Sequence, residues 1–386
     1  MRLVIASDSY KESLSAVEVA TIIAAAAQDV FPGVAIEQIP LADGGEGFVQ
    51  AMLIGAGGQS ITNEVTGPLG PAQRVQATWG ILPDGKSAVI EMAAASGLHL
   101  VPPDQRNPLA TTSYGTGELI AAAIAEGCTT IYIGIGGSAT NDGGAGMAAA
   151  LGVRLLDNNH QPLPLSGEAL AQLHQIDLSH LHPAIAGDKV QIIAACDVTN
   201  PLCGPHGASA VYGPQKGATP TMVTRLDSNL QHLALCIATA TGRDVANIPG
   251  AGAAGGLGAG LLGFLDASLE PGFALVSTIT DLEAKIANAD LVITGEGKTD
   301  FQTLFGKVPA GVAALTAKYE KPLILIAGGI EDHPDLDKNF TALITSTRLP
   351  VPVTEAMTHA TAWLSASARQ TFHLIRLGQQ LGQRLG

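Results

Sequence analysis

Six apolar runs of strand length punctuate the chain, and each leads into a loop rich in glycine, aspartate or serine: RLVIA into SDSYKES, VAIEQIPLA into DGGEG, TTIYIGI into GGSATNDGG, VQIIAAC into DVTNP, ADLVIT into GEGKTD, and PLILIA into GGIED. Between them lie stretches with apolar residues at helical spacing, such as 14–31 and 308–319, with Ser13 and Ser15 as candidate caps for the first. Strands that alternate with helices need crossover connections and therefore build largely parallel sheets, so the pattern predicts an α/β fold. Ligands of such folds gather at the loops beyond the carboxyl ends of the strands. The six loops are therefore the candidate site.

The texture changes between about Ile61 and Ala284, where strands shorten (RVQATWGIL, SAVIEMA) and Pro-Gly turns multiply (TGPLGP, PLCGPHG, YGPQKG). This predicts a doubly wound domain built from residues 1–60 and 285–386, interrupted by an inserted mixed α/β domain, 61–284. A chain of 386 residues, 46% hydrophobic and 14% charged, has material for two such cores. Its net charge of −14 argues against an extended surface for nucleic acid or anionic membrane. The start MRLVIASDSYKES has the form of neither a signal nor a transit peptide, so a cytoplasmic location is expected. The glycine-rich run 250–265 ends at Asp266, short of the roughly 18 apolar residues a spanning helix needs, and reads as a buried turn and helix. Cys128, Cys196, Cys203 and Cys236 form no C-x-x-C pair, which leaves zinc and redox motifs without support.

Short motifs are informative chiefly by what they exclude. Gly134-x-Gly136-x-x-Ala139 follows a strand and matches a dinucleotide fingerprint, with Asp157 near the distance expected of a ribose-binding acid. The turn then continues Ser138-Ala139-Thr140-Asn141-Asp142, placing hydroxyls, an amide and a carboxylate where such a fingerprint moves into apolar helix. Gly297-Lys298-Thr299 lacks the earlier glycine of a phosphate-binding P-loop, since Val292 stands there. The match Gly250-x-Gly252-x-x-Gly255 follows no convincing strand and reads as close packing. What remains is acids set beside glycines and hydroxyls: Asp8, Asp43 and Glu46, Glu91, Asp142, Asp197, and Glu296 with Asp300. Such loops suit phosphoryl transfer, in which carboxylates hold Mg²⁺ and one can take the proton of an attacking hydroxyl. They equally suit ordinary turns. Lys11, Arg106, Lys216, Lys298 and Lys307 are the loop cations that could meet an anion, and Lys11 stands out because it follows a strand and precedes a helix.

The blocks SDSYKESLSA (7–16), ADGGEG (42–47), TGPLG (66–70), VIEMAAASGL (89–98), TSYGTGELI (112–120), IGIGGSATNDGGAGM (133–147), ACDVTNPL (195–202), GPQKGA (213–218), PGAGAAGGLGAGL (249–261) and LVITGEGKTD (291–300) resemble, in this order, those of the bacterial glycerate kinases. The resemblance implies a flavodoxin-like, doubly wound domain and a second, restriction-endonuclease-like α/β domain, with the site in the cleft between them. It implies transfer of the γ-phosphoryl of ATP, with Mg²⁺, to D-glycerate, at the 2-hydroxyl to give 2-phosphoglycerate, with 3-phosphorylation as the alternative. Under it, Gly136, Gly137, Ser138, Thr140, Asn141, Gly295 and Glu296 are expected to bind the nucleotide and Asp43, Glu46 and Asp142 the metal. Lys11 would stabilise the transferring phosphoryl, Asp197 would act as base, and Asp8, Ser96 and Arg106 would hold the substrate. Lys298, where the family usually has arginine, together with Phe301 and Phe305, departs from the pattern. The stretch after Ile330 matches least and carries no functional expectation. Two other classes compete: an NAD-dependent hydroxy-acid oxidoreductase built on the 134–139 turn, and a non-catalytic binder of hydroxy acids.

Overall fold

The computed structural model describes residues 1–385 apart from Asp43, Phe305 and Gly306, with Gln302 and Leu385 described by backbone alone. The chain divides into two compact units, one formed by Met1–Asp43, Gln50–Ala56 and Phe273–Gly386, the other by Gly44–Val49 and Gly57–Gly272. The sequence reading puts the breaks at 60/61 and 284/285. Residues 44–49 and 57–60 instead go with the second unit, 59–60 because they open a strand whose hydrogen-bonded partner lies there. Residues 273–284 go with the first because Phe273 sits against Gly311 and Thr280 against Gly55.

In the first unit five strands run parallel, in the order Ala342–Thr345, Leu323–Ala327, Leu291–Thr294, Arg2–Ile5, Ala35–Gln38. Counted along the chain this is 5-4-3-1-2, so the direction of winding reverses between Arg2–Ile5 and Leu291–Thr294, and a crevice opens beyond their carboxyl ends. The inner strands are unbroken apolar runs because helices cover both faces, and Leu323–Ala327 is buried along its whole length. Helix Ala16–Val30 begins where Ser15 accepts from the Glu18 N–H and Glu18 returns a carboxylate to the Ser15 N–H, a capping box that sets the start of the helix. Its apolar face packs with Leu364, Ala368 and Phe372 of the helix Ala360–Leu385, and Phe31 meets Phe372 edge-on at 6.4 Å.

The second unit holds a six-stranded mixed sheet, ordered Ser268–Glu270, Gln191–Ala195, Thr130–Gly134, Ser87–Glu91, Gly70–Ile81, Gln59–Gly67. The first four are parallel, and the last two form an antiparallel hairpin. Its core is filled by helices Pro220–Thr241 and Ala253–Leu265. The glycine-rich run 250–265 is indeed a buried turn and helix, kinked where Ala254, Gly255 and Gly256 adopt positive φ. Gly255 is obligatory there: φ is +68°, and a Cβ would lie 1.9 Å from the Thr140 carbonyl oxygen. The expected α/β class and its strand and helix runs are present. Among the described residues no helix is long and apolar enough to cross a membrane.

Candidate active site

Four strand ends of the first unit open into a cavity of about 610 Å³. Beyond Arg2–Ile5 come Asp8, Ser9 and Lys11; beyond Leu291–Thr294, Glu296, Lys298 and Asp300; beyond Leu323–Ala327, Gly328 and Gly329; beyond Ala342–Thr345, Ser346 and Thr347. Three of the six candidate loops thus converge on one site, brought together by the parallel sheet.

Lys11 is not where a reading of strand followed by helix puts it. It lies in a turn closed by the Tyr10–Leu14 bridge, and the helix starts five residues later at Ala16, so no helix terminus assists it. The side chain is exposed at the cavity and has no ion-pair partner among the described residues. The turn is anchored by Tyr10, whose hydroxyl donates to the Ile326 carbonyl and whose phenol is pushed upward by burial. Asp8 accepts from the Ser9 N–H. Gly295 is closely packed, since a Cβ there would stand 2.1 Å from the Ile326 carbonyl oxygen, and its carbonyl accepts from the Asp8 N–H. Glu296 is buried at the cavity wall, where its Oε1 accepts from Thr299 and Thr303 and its Oε2 lies 3.9 Å from Lys307. Burial raises its pKa, against the pull of the Thr303 hydroxyl and Lys307. Lys298 is balanced by Glu331 at 3.1 Å and Asp300 at 3.5 Å, so it offers less unspent charge than Lys11.

In the second unit the loop 134–142 turns inward. Gly136 and Gly137 keep some exposure, but Ser138, Thr140, Asn141 and Asp142 are buried. The Lys216 ammonium donates to the Ser138 Oγ at 2.6 Å and to the Thr140 carbonyl at 2.7 Å, and the Asn141 amide donates to Ser209. Asp142 accepts from the N–H groups of Ser113, Gly144 and Gly146 and from the Ser113 hydroxyl. Its pKa is raised by burial, and its oxygens are committed to organising the turn, which removes it from the expected metal set. The Ser138 hydroxyl is taken up by Lys216, which corrects its expected phosphate contact, whereas Thr140 Oγ1 and Asn141 Oδ1 are buried without a hydrogen-bond partner among the described residues. Burial lowers the pKa of Lys216 to about 7, and the Asp142 charge partly opposes that fall.

Ser96 is also interior, its hydroxyl shared with Thr116 at 2.9 Å, so it is no carboxylate ligand. Arg106 is half-buried and its Nε has no hydrogen-bond partner. Asp197 is exposed beyond Gln191–Ala195, with Oδ1 accepting from the Gly272 N–H. Glu46 is exposed, while Glu91 accepts from the Val49 N–H at the start of helix Phe48–Ala56, a cap supplied from a distant strand. Asp43 and Phe305 lie outside the described residues. No three His, Cys, Asp or Glu side chains converge as a metal set among the described residues.

The dinucleotide reading loses its geometry. The helix after the 134–139 turn is Ala145–Ala150 alone, too late to meet a phosphate at the glycines, and Asp157 spends Oδ1 on the N–H groups of Asn159 and Gln161. Gly252 and Gly255 of the second fingerprint are close-packed against Pro201 and Thr140, as expected. The sequence reading missed the cavity's far wall, Val351, Val353, Ala356, Met357, Ala360 and Trp363, all from the stretch that matches least. The available signal was a cluster of apolar residues ahead of and at the start of the helix Ala360–Leu385 that the fold does not fully cover, and Val353 is 72% exposed.

Residues 3–376 match the profile described as the glycerate kinase family. The chain is 53% identical over 332 residues to a glycerate 2-kinase of Escherichia coli K12, covering 86% of each chain. It is 49% identical to a glycerate kinase of Bacillus subtilis 168 over 99% of both chains. The crystal structure of a candidate glycerate kinase 2 from Salmonella typhimurium LT2 superposes with a TM-score of 0.87 at 49% identity, covering 98% of this chain and 99% of that one. A family match over residues 3–376 and relatives of this similarity along nearly the whole length lead to one conclusion: the chain belongs to the glycerate kinase family and is a kinase.

Proposed function

We propose that the protein transfers the γ-phosphoryl of ATP to the 2-hydroxyl of D-glycerate, giving 2-phosphoglycerate and ADP in the cytoplasm. The observation that carries the reading is the strand-end cavity of the first unit, lined by the Lys11 ammonium, which has no ion-pair partner among the described residues. The 2-hydroxyl is favoured by the name of the Escherichia coli relative. The five-stranded parallel order supports reading this unit as flavodoxin-like, a fold class whose ligands bind at such a reversal point.

Lys11 offers a cation to the oxygens of the transferring phosphoryl, where charge spreads in the transition state. Lys307 supplies a second positive charge, held in place by Glu296. Mg²⁺ is accommodated by the donor set, because it prefers one or two carboxylates together with substrate phosphates and water to an all-protein cage. Asp8 and Asp300, both lining the cavity, would hold it, and the metal would neutralise phosphate charge. Asp197 is the proposed base for the substrate hydroxyl, and Arg106 the proposed partner of its carboxylate.

³¹P NMR of the purified protein with D-glycerate, ATP and Mg²⁺ tests the reading. A 2-phosphoglycerate resonance is expected, and Asp197→Asn should lower kcat roughly a hundredfold or more. A 3-phosphoglycerate resonance would overturn the regiochemistry, near-normal turnover of the variant would remove Asp197 as base, and no transfer by folded protein would overturn the kinase reading for D-glycerate.

A further inference from the structure

We propose that the apolar wall formed by Val353, Met357, Ala360 and Trp363 receives the adenine ring of the nucleotide, with the phosphates directed to Lys11; this rests on the kinase reading above. The cavity is about 610 Å³, within the range of pockets that enclose a drug-sized ligand and far more than a three-carbon acid fills. Its lining is divided by chemistry. Charged side chains lie at the strand ends, whereas every lining residue from Val351 onward is apolar. A nucleotide has the same division, an anionic tail and a flat apolar base.

The wall is built to present its surface. Val353 opens the short helix Val353–Thr358 and is 72% exposed, so its burial is left for something outside the chain's own core. Trp363 is only half-buried, and its ring is steadied by stacking on His359, with centroids 5.1 Å apart and planes 25° from parallel. A held indole at a cavity wall is a stacking platform, and stacking tolerates any purine face. Ser346 and Thr347 also line the cavity and add polar atoms of the kind a ribose would need.

Trp363 is one of two tryptophans, and the other, Trp79, is fully buried in the second unit, so emission changes at the wall can be assigned by substitution. The experiment titrates the full-length protein with ADP and MgCl₂ by calorimetry and fluorescence, with inorganic tripolyphosphate as the ligand that has charge and no base. ADP should quench emission in the unmodified protein and lose the quench in Trp363→Ala, with ADP binding weakened roughly tenfold or more. Tripolyphosphate should bind both forms alike, and Trp363→Phe should restore ADP affinity to within a few-fold, which separates stacking from damage to the fold. ADP affinity unchanged in both Trp363→Ala and Met357→Ala, with glycerate turnover intact, would overturn the base site and leave the kinase standing. Equal losses of ADP and tripolyphosphate would also overturn it. Failure of the unmodified protein to bind ADP and to phosphorylate glycerate would overturn the kinase reading and the base site with it.

Discussion

The loops that follow Thr130–Gly134 and Leu291–Thr294 carry the same ingredients: paired glycines, a threonine, an acid, and a lysine within reach. Their surroundings differ in kind. In the first, the acid and the lysine are buried and satisfied within the unit, through Asp142 to Gly144, Gly146 and the more distant Ser113, and through Lys216 to Ser138 and Thr140. In the second, the loop opens on a cavity, and cations and carboxylates stay partly in reach of solvent. A glycine-rich acidic loop can therefore serve as a polar core that shapes a turn or as a surface that meets a ligand. Composition does not distinguish the two, and the source of the remaining hydrogen-bond partners does.

The sharpest break of this comparison comes from one substitution on each side. Lys11→Met should lower kcat by about two to three orders of magnitude and leave the melting temperature unchanged, since the exposed ammonium makes no ion pair among the described residues. Turnover within a few-fold of normal would remove the open loop from phosphoryl handling. Asp142→Ala should do the reverse. It strands three buried N–H groups and leaves Lys216 without its countercharge, at a cost of about 3–5 kcal/mol in denaturant unfolding, while the folded fraction keeps its turnover. A stable Asp142→Ala protein that has lost only its Mg²⁺-dependent turnover would return the carboxylate to the metal.

A third test is a pH dependence carried by the lysine buried against the closed loop. Lys216 has a folded pKa lowered to about 7 by burial, below its unfolded value of 10.5, so between those values the unfolded chain holds a proton the folded one has released. Stability from this group therefore rises as pH increases from about 7 toward 10 and is lowest below 7. Chemical denaturation across that window should show the rise, and Lys216→Met should flatten it. An unchanged slope in the variant would mean that the lysine does not titrate there.

Much of the fold was legible because strand and helix periodicity are local properties. RLVIA, TTIYIGI, VQIIAAC, ADLVIT and PLILIA are all strands, and the helix from Ala16 begins where Ser15 and Glu18 make a capping box. The glycerate kinase resemblance was carried by long ordered blocks and is borne out by the family match over residues 3–376. The candidate site was legible only as a set of loops. Whether Ser96 faced a ligand or Thr116 depended on a residue 20 positions away, and the inward turn of Thr140 on Gly255, more than a hundred positions away. The wall around Trp363 was invisible for a related reason: apolar residues at helical spacing look the same whether a core or a ligand is to cover them.

The sequence by itself determined the α/β class, the strand-end loops, the absence of a P-loop and the family, since each depends on residue order and short-range periodicity. Tertiary structure alone decided which acidic loop is buried, that Lys11 stands at a cavity and not at a helix terminus, and that the C-terminal stretch builds an apolar wall. The physical reason is that a polar group's role is set by what satisfies it, and for buried groups that partner comes from distant chain, brought near only by packing.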